Sequence, residues 1–498
     1  MKREFKVLLI NPPWFRLLGQ VLDSCPIGLS YLAAMLERQG FDVSIYNADY
    51  NYEKLGLIFG SLRSMTGAYR EYLRILQDLD DPLWQEVKRV ILDQEPSMVG
   101  ISCVTGNYGS ALNVAKLVKK IDSDIRVVMG GFHPTIVTEE VLGNKDIDVV
   151  VRGEGEDTLA HLATTVRAQG PPDNILGISY KVKGKIVHNP DRPQIANLDD
   201  LPFPAKHLLL EKETYPSRAF GRLFTARGCP YYCIFCAAHA LWTRKVRFRS
   251  PENVVQEIEQ VKKNFGTHHF YFDDDTFTLN QRRIMAICDL IMGKNLRISW
   301  GCETRAGQVS SDLARKMREA GCEYCNIGVE SGDEETLKKL RKGVTVEQVK
   351  NTRKILKDAG IAFNAYFMIG FPWETAAEIK RTVKLMKELN PERAFYGIAT
   401  PYPKTELHEI CSSEGLIPQS FDWSTFFHQS PSMYLTKHLT REETTELIKY
   451  TEEIFDKHNK HQIMKLALRH PLRPFKLIFE WGYAKPRFVK ALVRTLLR

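Results

Sequence analysis

The sequence predicts an α/β protein: two successive runs of parallel strand–helix units, closed by a helical tail. Three observations predict it. Short apolar runs rich in Val and Ile alternate with segments of helical periodicity, first over residues 6–165 and again over 222–400. Between them the rhythm breaks, at Gly170-Pro171-Pro172 and Leu201-Pro202-Phe203-Pro204. Of 498 residues, 44% are apolar and 26% charged, a globular composition with material for two or three domains.

In the first run, Lys6 to Ile10 is a strand ended by Asn11-Pro12-Pro13, and Ile27 to Gln39 a helix stopped by Gly40. Val43 to Tyr46 is the second strand, and residues 50–95 form a helical insertion. Met98 to Val104, Ile125 to Met129 and Ile147 to Val151 are the next strands, with a helix over Ala111 to Ile121. Continuous apolar strands suit a sheet buried on both faces, so residues 1–165 read as a doubly wound, Rossmann-like domain. Residues 166–217 read as an inter-domain connection packed on the surface, with a hairpin at Lys183-Gly184-Lys185.

The second run places strands at 222–226, 268–273, 297–301, 324–329, 362–368 and 394–399. Helices fall at 252–265, 281–293, 310–320, 333–341, 346–358 and 375–388. Six such units fit a partial (β/α)6 barrel over 218–404. The rest, 405–498, is expected to be helical and basic: residues 457–498 hold eleven Lys or Arg and one acid, Glu480.

The net charge of +9 is mild for this length and is concentrated in that tail, so no nucleic-acid partner is expected. No apolar run approaches the roughly 20 residues that span a bilayer. The N-terminal basic stretch passes at once into the first strand and reads as no signal peptide; a cytoplasmic enzyme is expected. Its ten cysteines are then not a disulfide framework.

Three of them crowd into Arg227-Gly228-Cys229-Pro230-Tyr231-Tyr232-Cys233-Ile234-Phe235-Cys236, directly after the first strand of the second run. Thiolates are the usual ligands of iron–sulfur clusters, and a [4Fe-4S] cluster takes four. Three ligands from Cys229, Cys233 and Cys236 leave one iron open to a substrate or cofactor. Structural zinc takes four ligands, often in two pairs, and no second pair has comparable spacing here. Three core thiols would not sit in a Gly-Pro loop at a strand's carboxyl end.

On this loop the sequence resembles the radical S-adenosylmethionine enzymes. The resemblance continues through Phe272-Asp273-Asp274-Asp275-Thr276-Phe277, Gly301-Cys302-Glu303-Thr304-Arg305, Gly328-Val329-Glu330-Ser331-Gly332, Met368-Ile369-Gly370-Phe371-Pro372-Trp373-Glu374 and Pro401-Tyr402-Pro403, each at or after a strand's end. It implies that the open iron chelates S-adenosylmethionine, which an electron from the cluster cleaves to methionine and a deoxyadenosyl radical. It also implies contacts to that cofactor from Phe235, Asp274, Glu303, Arg305, Glu330, Ser331 and Gly370. The placement agrees with elementary chemistry. Ligands bind at the carboxyl ends of parallel strands. Carboxylates such as Asp274 and Glu330 suit an ammonium group, Arg305 a carboxylate, and Gly370 close backbone approach to a nucleoside.

A doubly wound domain ahead of such a barrel resembles the cobalamin-dependent subgroup. The residues that carry this are Asn11-Pro12-Pro13, Pro26-Ile27-Gly28-Leu29, Ser102-Cys103-Val104-Thr105, Gly130-Gly131-Phe132-His133-Pro134-Thr135 and Val151-Arg152-Gly153-Glu154-Gly155-Glu156. The implied cobalamin contacts are Pro12, Ser102, Thr105, Gly130, Gly131, His133, Gly153 and Glu154. The Asp-x-His-x-x-Gly motif of many cobalamin mutases is absent, so no histidine is marked as the lower cobalt ligand; His133 also reads as a turn residue. A methylthiotransferase would bring a second cluster on three N-terminal cysteines, and only Cys25 and Cys103 are there. Cys322 and Cys325 are read as buried small hydrophobes rather than ligands of a second cluster.

The resemblance implies an enzyme that methylates an unactivated carbon of a lipophilic or secondary-metabolite substrate, with the [4Fe-4S] cluster, S-adenosylmethionine and cobalamin as cofactors. A flavodoxin or ferredoxin is the implied reductant. A radical cyclase of the anaerobic tetrapyrrole type and, from another class, a non-catalytic cobalamin or Fe–S sensor are the alternatives. Near the C-terminus, Arg487, Lys490, Arg494 and Arg498 share one helical face, opposite Phe488, Val489, Leu492, Val493, Leu496 and Leu497. That pattern suits either a helix docked on the barrel or one lying on an anionic membrane surface, which would place the enzyme peripherally on the inner face of the membrane.

Overall fold

The computed structural model describes residues 5–20, 22–50, 65–417, 422–427, 430 and 434–469. Two sheets organise it. The first contains β1 (Lys6–Asn11), β2 (Asp42–Asn47), β3 (Met98–Ser102), β4 (Arg126–Gly130), β5 (Val149–Val151), β6 (Ile178–Val182) and β7 (Lys185–His188), in the order β2-β1-β3-β4-β5-β6-β7. β1 to β5 are parallel, and their Val and Ile side chains are buried on both faces, by helices Ile27–Arg38 and Glu156–Arg167 on one and Pro82–Gln94 and Tyr108–Ile121 on the other. Strand order reverses between β1 and β3, so the crevice beyond their carboxyl ends is the natural ligand position.

The hairpin β6–β7 corrects one expectation. It is no surface connection: β6 pairs antiparallel with β5 through Val149↔Tyr180 and Val151↔Ile178 and continues the first sheet. Ile178, Ser179 and Tyr180 are buried, and Arg152 donates to the Ile178 carbonyl at 2.7 Å. Without this hairpin β5 would present an open edge.

The second sheet contains β8 (Arg222–Leu223), β11 (His269–Phe272), β12 (Ser299–Arg305), β13 (Cys322–Glu330), β14 (Ala362–Ile369) and β15 (Arg393–Ile398), all parallel in that order. Between β8 and β11 lie two short strands, β9 (Ala226–Arg227) and β10 (Arg247–Phe248), which pair antiparallel. The helices start and stop where side chains cap them. Ser250 accepts from the Asn253 amide ahead of Pro251–Phe265, and Gly266 ends that helix at φ +64°. Thr375 and Glu378 form a capping box for Ala376–Leu389.

Side chains alternate across the second sheet. Phe270, Phe272, Trp300, Cys302, Cys325, Ile327, Phe363 and Phe367 pack into the core on the helix side. Tyr271, Glu303, Asn326 and Tyr366 hold the intervening positions and so line the inner face. Cys302 and Cys325 lie opposite each other with sulfurs 3.7 Å apart, and Cys322 is equally buried. These three are core thiols behind the sheet. The edge strand β15 is covered by helix Arg441–Arg469, where Asn459 accepts from the Ala394 amide at 2.9 Å and donates to its carbonyl at 2.8 Å. Among the described residues no helix is long and apolar enough to cross a membrane. The amphipathic stretch Arg487–Arg498 lies outside the described residues.

Candidate active site

The cysteine loop hangs between β9 and β10, whose pairing Arg227↔Arg247 pinches its base. Gly228 has φ +97°, and a Cβ there would stand 2.5 Å from the Lys245 carbonyl oxygen, so only glycine fits. The Ile234 amide donates to the Leu340 carbonyl at 3.1 Å, and the Ile234 carbonyl accepts from Leu407 at 3.0 Å. Cys229, Cys233 and Cys236 are half-buried and unbridged. Burial pushes the Cys229 thiol up and the Cys236 thiol up to about 12. The Arg305 guanidinium reaches the Cys233 sulfur at 3.8 Å and lies 3.8 Å over the Tyr231 ring.

The strand-end residues divide into two groups. Asp274 was expected to meet a ligand, but both its oxygens are taken by the Thr225 amide and hydroxyl and the Ala226 amide. It fixes the chain just ahead of the cysteine loop. Ser331 is buried, with its hydroxyl beside Thr382 and accepting from the Asp333 amide at 3.1 Å. Glu330, at φ +65° past a bulge in β13, accepts from Lys342 Nζ at 2.6 Å over Gly328. In β12–β13 register Gly328 faces Arg305, so this pair adjoins the guanidinium at the cysteines. Gly370 has φ +85°, and a Cβ there would meet only Ile398 at 3.7 Å, which leaves its backbone approachable. Its amide and that of Phe371 donate to buried Glu374, whose carboxyl burial pushes up to about 8. Phe235 is half-buried, its ring 6.5 Å from that of Phe371. Glu303 accepts from the Tyr271 hydroxyl at 3.0 Å on the inner face.

In the first sheet, buried Pro12 follows β1, half-buried Ser102 ends β3 and buried Thr105 follows it, flanking the switch point. His133 is fully buried, with Nδ1 3.2 Å from the Thr105 hydroxyl and its ring 4.3 Å from Tyr108 and 4.9 Å from Trp423. Burial pushes its pKa down to about 3, so it is neutral, and Nε2 has no partner among the described residues. Gly153 has φ +70° and nothing within 4 Å of a Cβ built on it.

Two expectations change here. A Cβ on Gly131 would enter the protein, not ligand space: it would stand 2.5 Å from the Cys103 carbonyl oxygen. A Cβ on Gly130 makes ordinary contact with Val151 at 3.6 Å. Gly131→Ala is therefore expected to cost about 3 kcal/mol or more and leave little soluble protein, whereas Gly130→Ala is tolerated. Expression yield and thermal unfolding of the two variants check this. Glu154, in turn, is an ionic anchor. It accepts from Arg227 at 2.7 Å, from Arg247 at 2.8 Å and from the Ile195 amide at 2.8 Å, while Glu156 also takes Arg227.

Sequence reasoning missed Lys342, Arg227 and Arg247 as site-building residues, and it missed Asp275. Asp275, three residues past β11, acts electrostatically on Cys229 and Cys236; desolvation and neighbouring Asp274 push its carboxyl up to about 6. The one available signal was the run of three aspartates, which does not say which carboxylate is occupied.

Residues 223–386 match the Radical SAM superfamily, and residues 66–163 match the B12 binding domain. An uncharacterized methyltransferase of Pyrococcus horikoshii is 33% identical over 489 residues, 95% of this chain and 99% of the other. The chain belongs to the cobalamin-dependent radical S-adenosylmethionine enzymes. A second relative of this cobalamin-dependent radical enzyme is the anaerobic magnesium-protoporphyrin IX monomethyl ester cyclase of Rubrivivax gelatinosus. It is 30% identical over 376 residues, 74% of this chain and 67% of that one. The solved structure of the radical S-adenosylmethionine methyltransferase TsrM from Kitasatospora setae shares the fold, with a TM-score of 0.64 at 18% identity over 84% of this chain and 76% of that one. The cofactors of the enzyme are a [4Fe-4S] cluster, S-adenosylmethionine and cobalamin. Its residues fit them: one loop supplies three soft donors, and past β4 and β5 stand a neutral, buried imidazole whose Nε2 has no partner among the described residues and a glycine with open space beside it.

Proposed function

We propose that this enzyme transfers a methyl group to an unactivated carbon of a lipophilic or secondary-metabolite substrate. The observation that carries the reading is the buried join between the two sheets. Arg227 directly precedes the cysteine loop, and Glu154 and Glu156 directly follow the β5 end of the cobalamin-binding region. Their ion pairs hold the carboxyl edges of the two sheets together, so a methyl donor in one and a radical source in the other can serve one carbon.

In this reading Cys229, Cys233 and Cys236 hold the cluster, with the Arg305 guanidinium beside the Cys233 sulfur. Glu330 and Lys342 present a carboxylate and an ammonium to the amino-acid end of S-adenosylmethionine, and Gly370 admits its nucleoside. The cofactors supply one-electron reduction, hydrogen abstraction and the methyl group; the protein orients them and excludes water. An acidic flavodoxin or ferredoxin suits the role of reductant. The basic and apolar sequence of residues 487–498 favours work at an anionic membrane surface, peripheral on the inner face of the membrane.

Turnover with methyl-labelled S-adenosylmethionine tests the reaction. Methylation requires equal amounts of 5′-deoxyadenosine and S-adenosylhomocysteine, with label in the product. The second reading, a radical cyclase, is favoured by the 30% identity to the Rubrivivax cyclase. It requires 5′-deoxyadenosine without S-adenosylhomocysteine, and that outcome would displace methyl transfer.

A further inference from the structure

The inner face of the second sheet carries a surface that the cofactors do not account for. Tyr366 and Phe395 face each other in the β14–β15 register, their rings stacked 4.9 Å apart at 21°. They are 36% and 37% exposed, in a sheet whose alternate side chains are completely buried. Deeper in, Tyr271 and Tyr324 lie nearly parallel, with centroids 6.0 Å apart. Gly301 clears the space for that stack, since a Cβ on it would fall 2.3 Å from the Tyr324 ring.

A row of hydrogen bonds crosses the same face. Asn364 donates to Asn326 at 3.0 Å, Asn326 to the Tyr271 hydroxyl at 2.6 Å, and Tyr271 to Glu303 Oε1 at 3.0 Å. The row fixes the Glu303 carboxyl in one orientation. Its other oxygen, Oε2, accepts no hydrogen bond among the described residues, and the residue is half-buried rather than sealed. A flat aromatic shelf thus ends at one oriented acceptor.

We infer that this face is the acceptor-substrate site, and that it takes a flat, largely apolar ring system carrying an N–H or O–H donor directed at Glu303. The inference rests on the proposed reading of a carbon acceptor inside the barrel, and it moves Glu303 from cofactor contact to substrate specificity. Covering the shelf with a planar molecule removes apolar surface from water, and stacking adds to that. The donor supplies orientation, because a half-buried carboxylate discriminates strongly between a group that donates and one that does not.

Carbazole and dibenzofuran separate these contributions. They have nearly the same shape, and only carbazole has an N–H. Fluorescence titration of the cobalamin- and cluster-loaded enzyme is expected to show carbazole binding about 10-fold tighter than dibenzofuran. Tyr366→Leu with Phe395→Leu should weaken both probes by about 10-fold, with iron content as the control for folding. Glu303→Leu should abolish the preference for carbazole while dibenzofuran still binds. Equal binding of both probes by the parent enzyme, or undiminished binding by the double variant, would overturn the inference. Release of 5′-deoxyadenosine on dithionite reduction of the same preparation reports the radical reading separately. Its presence without probe binding sinks this site alone; its absence with probe binding sinks the reaction and keeps the site.

Discussion

Replacing Cys229, Cys233 and Cys236 together with Ala is expected to take the iron content from about four per chain to zero and to abolish S-adenosylmethionine cleavage, with the fold intact. The loop does not depend on its thiols for shape. Its base is pinched by Arg227↔Arg247 and Gly228, its middle is tied to Leu340 and Leu407, and Asp274 fixes the chain ahead of it. The three side chains are half-buried, so their loss is expected to cost the apoprotein no more than about 1 kcal/mol. Ligation needs thiolates, and burial pushes the Cys236 thiol up to about 12, so cluster assembly releases protons and proceeds further at alkaline pH. Iron and sulfide analysis, the visible spectrum and apoprotein thermal unfolding check this. A full cluster in the triple variant would move ligation elsewhere in the chain.

The elements legible in the sequence were those that local chemistry fixes. Helix Val346–Asp358 begins at a Thr345–Gln348 capping box, and Pro251–Phe265 runs from a Ser-Pro start to Gly266; both signals lie within the segment itself. The Cys-x3-Cys-x2-Cys loop is equally local. What could not be read was the partner of each strand-end carboxylate. Asp274, Glu330 and Glu154 all stand where ligands bind, yet Thr225, Lys342 and Arg247 already hold them. Arg247 lies 93 residues from Glu154, a separation over which sequence pattern carries no pairing information. The β6–β7 hairpin was misplaced for the same reason, since its antiparallel partner β5 lies across the helix Glu156–Arg167. Cys322 and Cys325 were read as core thiols, but their neighbour Cys302 emerges only from the parallel register of β12 and β13.

The second large effect is expected at Arg227. Its side chain is 5% exposed and bridges Glu154 and Glu156, while Arg247 takes the other oxygen of Glu154. Burial alone would raise the Glu154 pKa, but Arg247 and Arg227 outweigh it and hold the carboxyl below the usual range. Arg227→Met keeps the volume and removes the charge, which leaves Glu156 buried without its cation. Breaking a buried pair in this way costs about 3–5 kcal/mol, chiefly from the uncompensated charge. Adding Glu156→Gln should therefore return part of the loss. The pH dependence follows with a definite sign. A depressed carboxyl contributes stability above its unfolded pKa and loses it as pH falls through the folded one. Arg227→Met removes one of the two cations that hold the Glu154 carboxyl down, so the gap between parent and variant is expected to be widest near pH 8 and to narrow toward pH 4. Urea unfolding at both pH values measures it, and a gap that widens on acidification would contradict the account. Because Arg227 also joins the cysteine loop to the cobalamin-binding region, its loss should lower methyl transfer more than 5′-deoxyadenosine release. The two sheets would still each hold a cofactor, but no longer in a fixed relation.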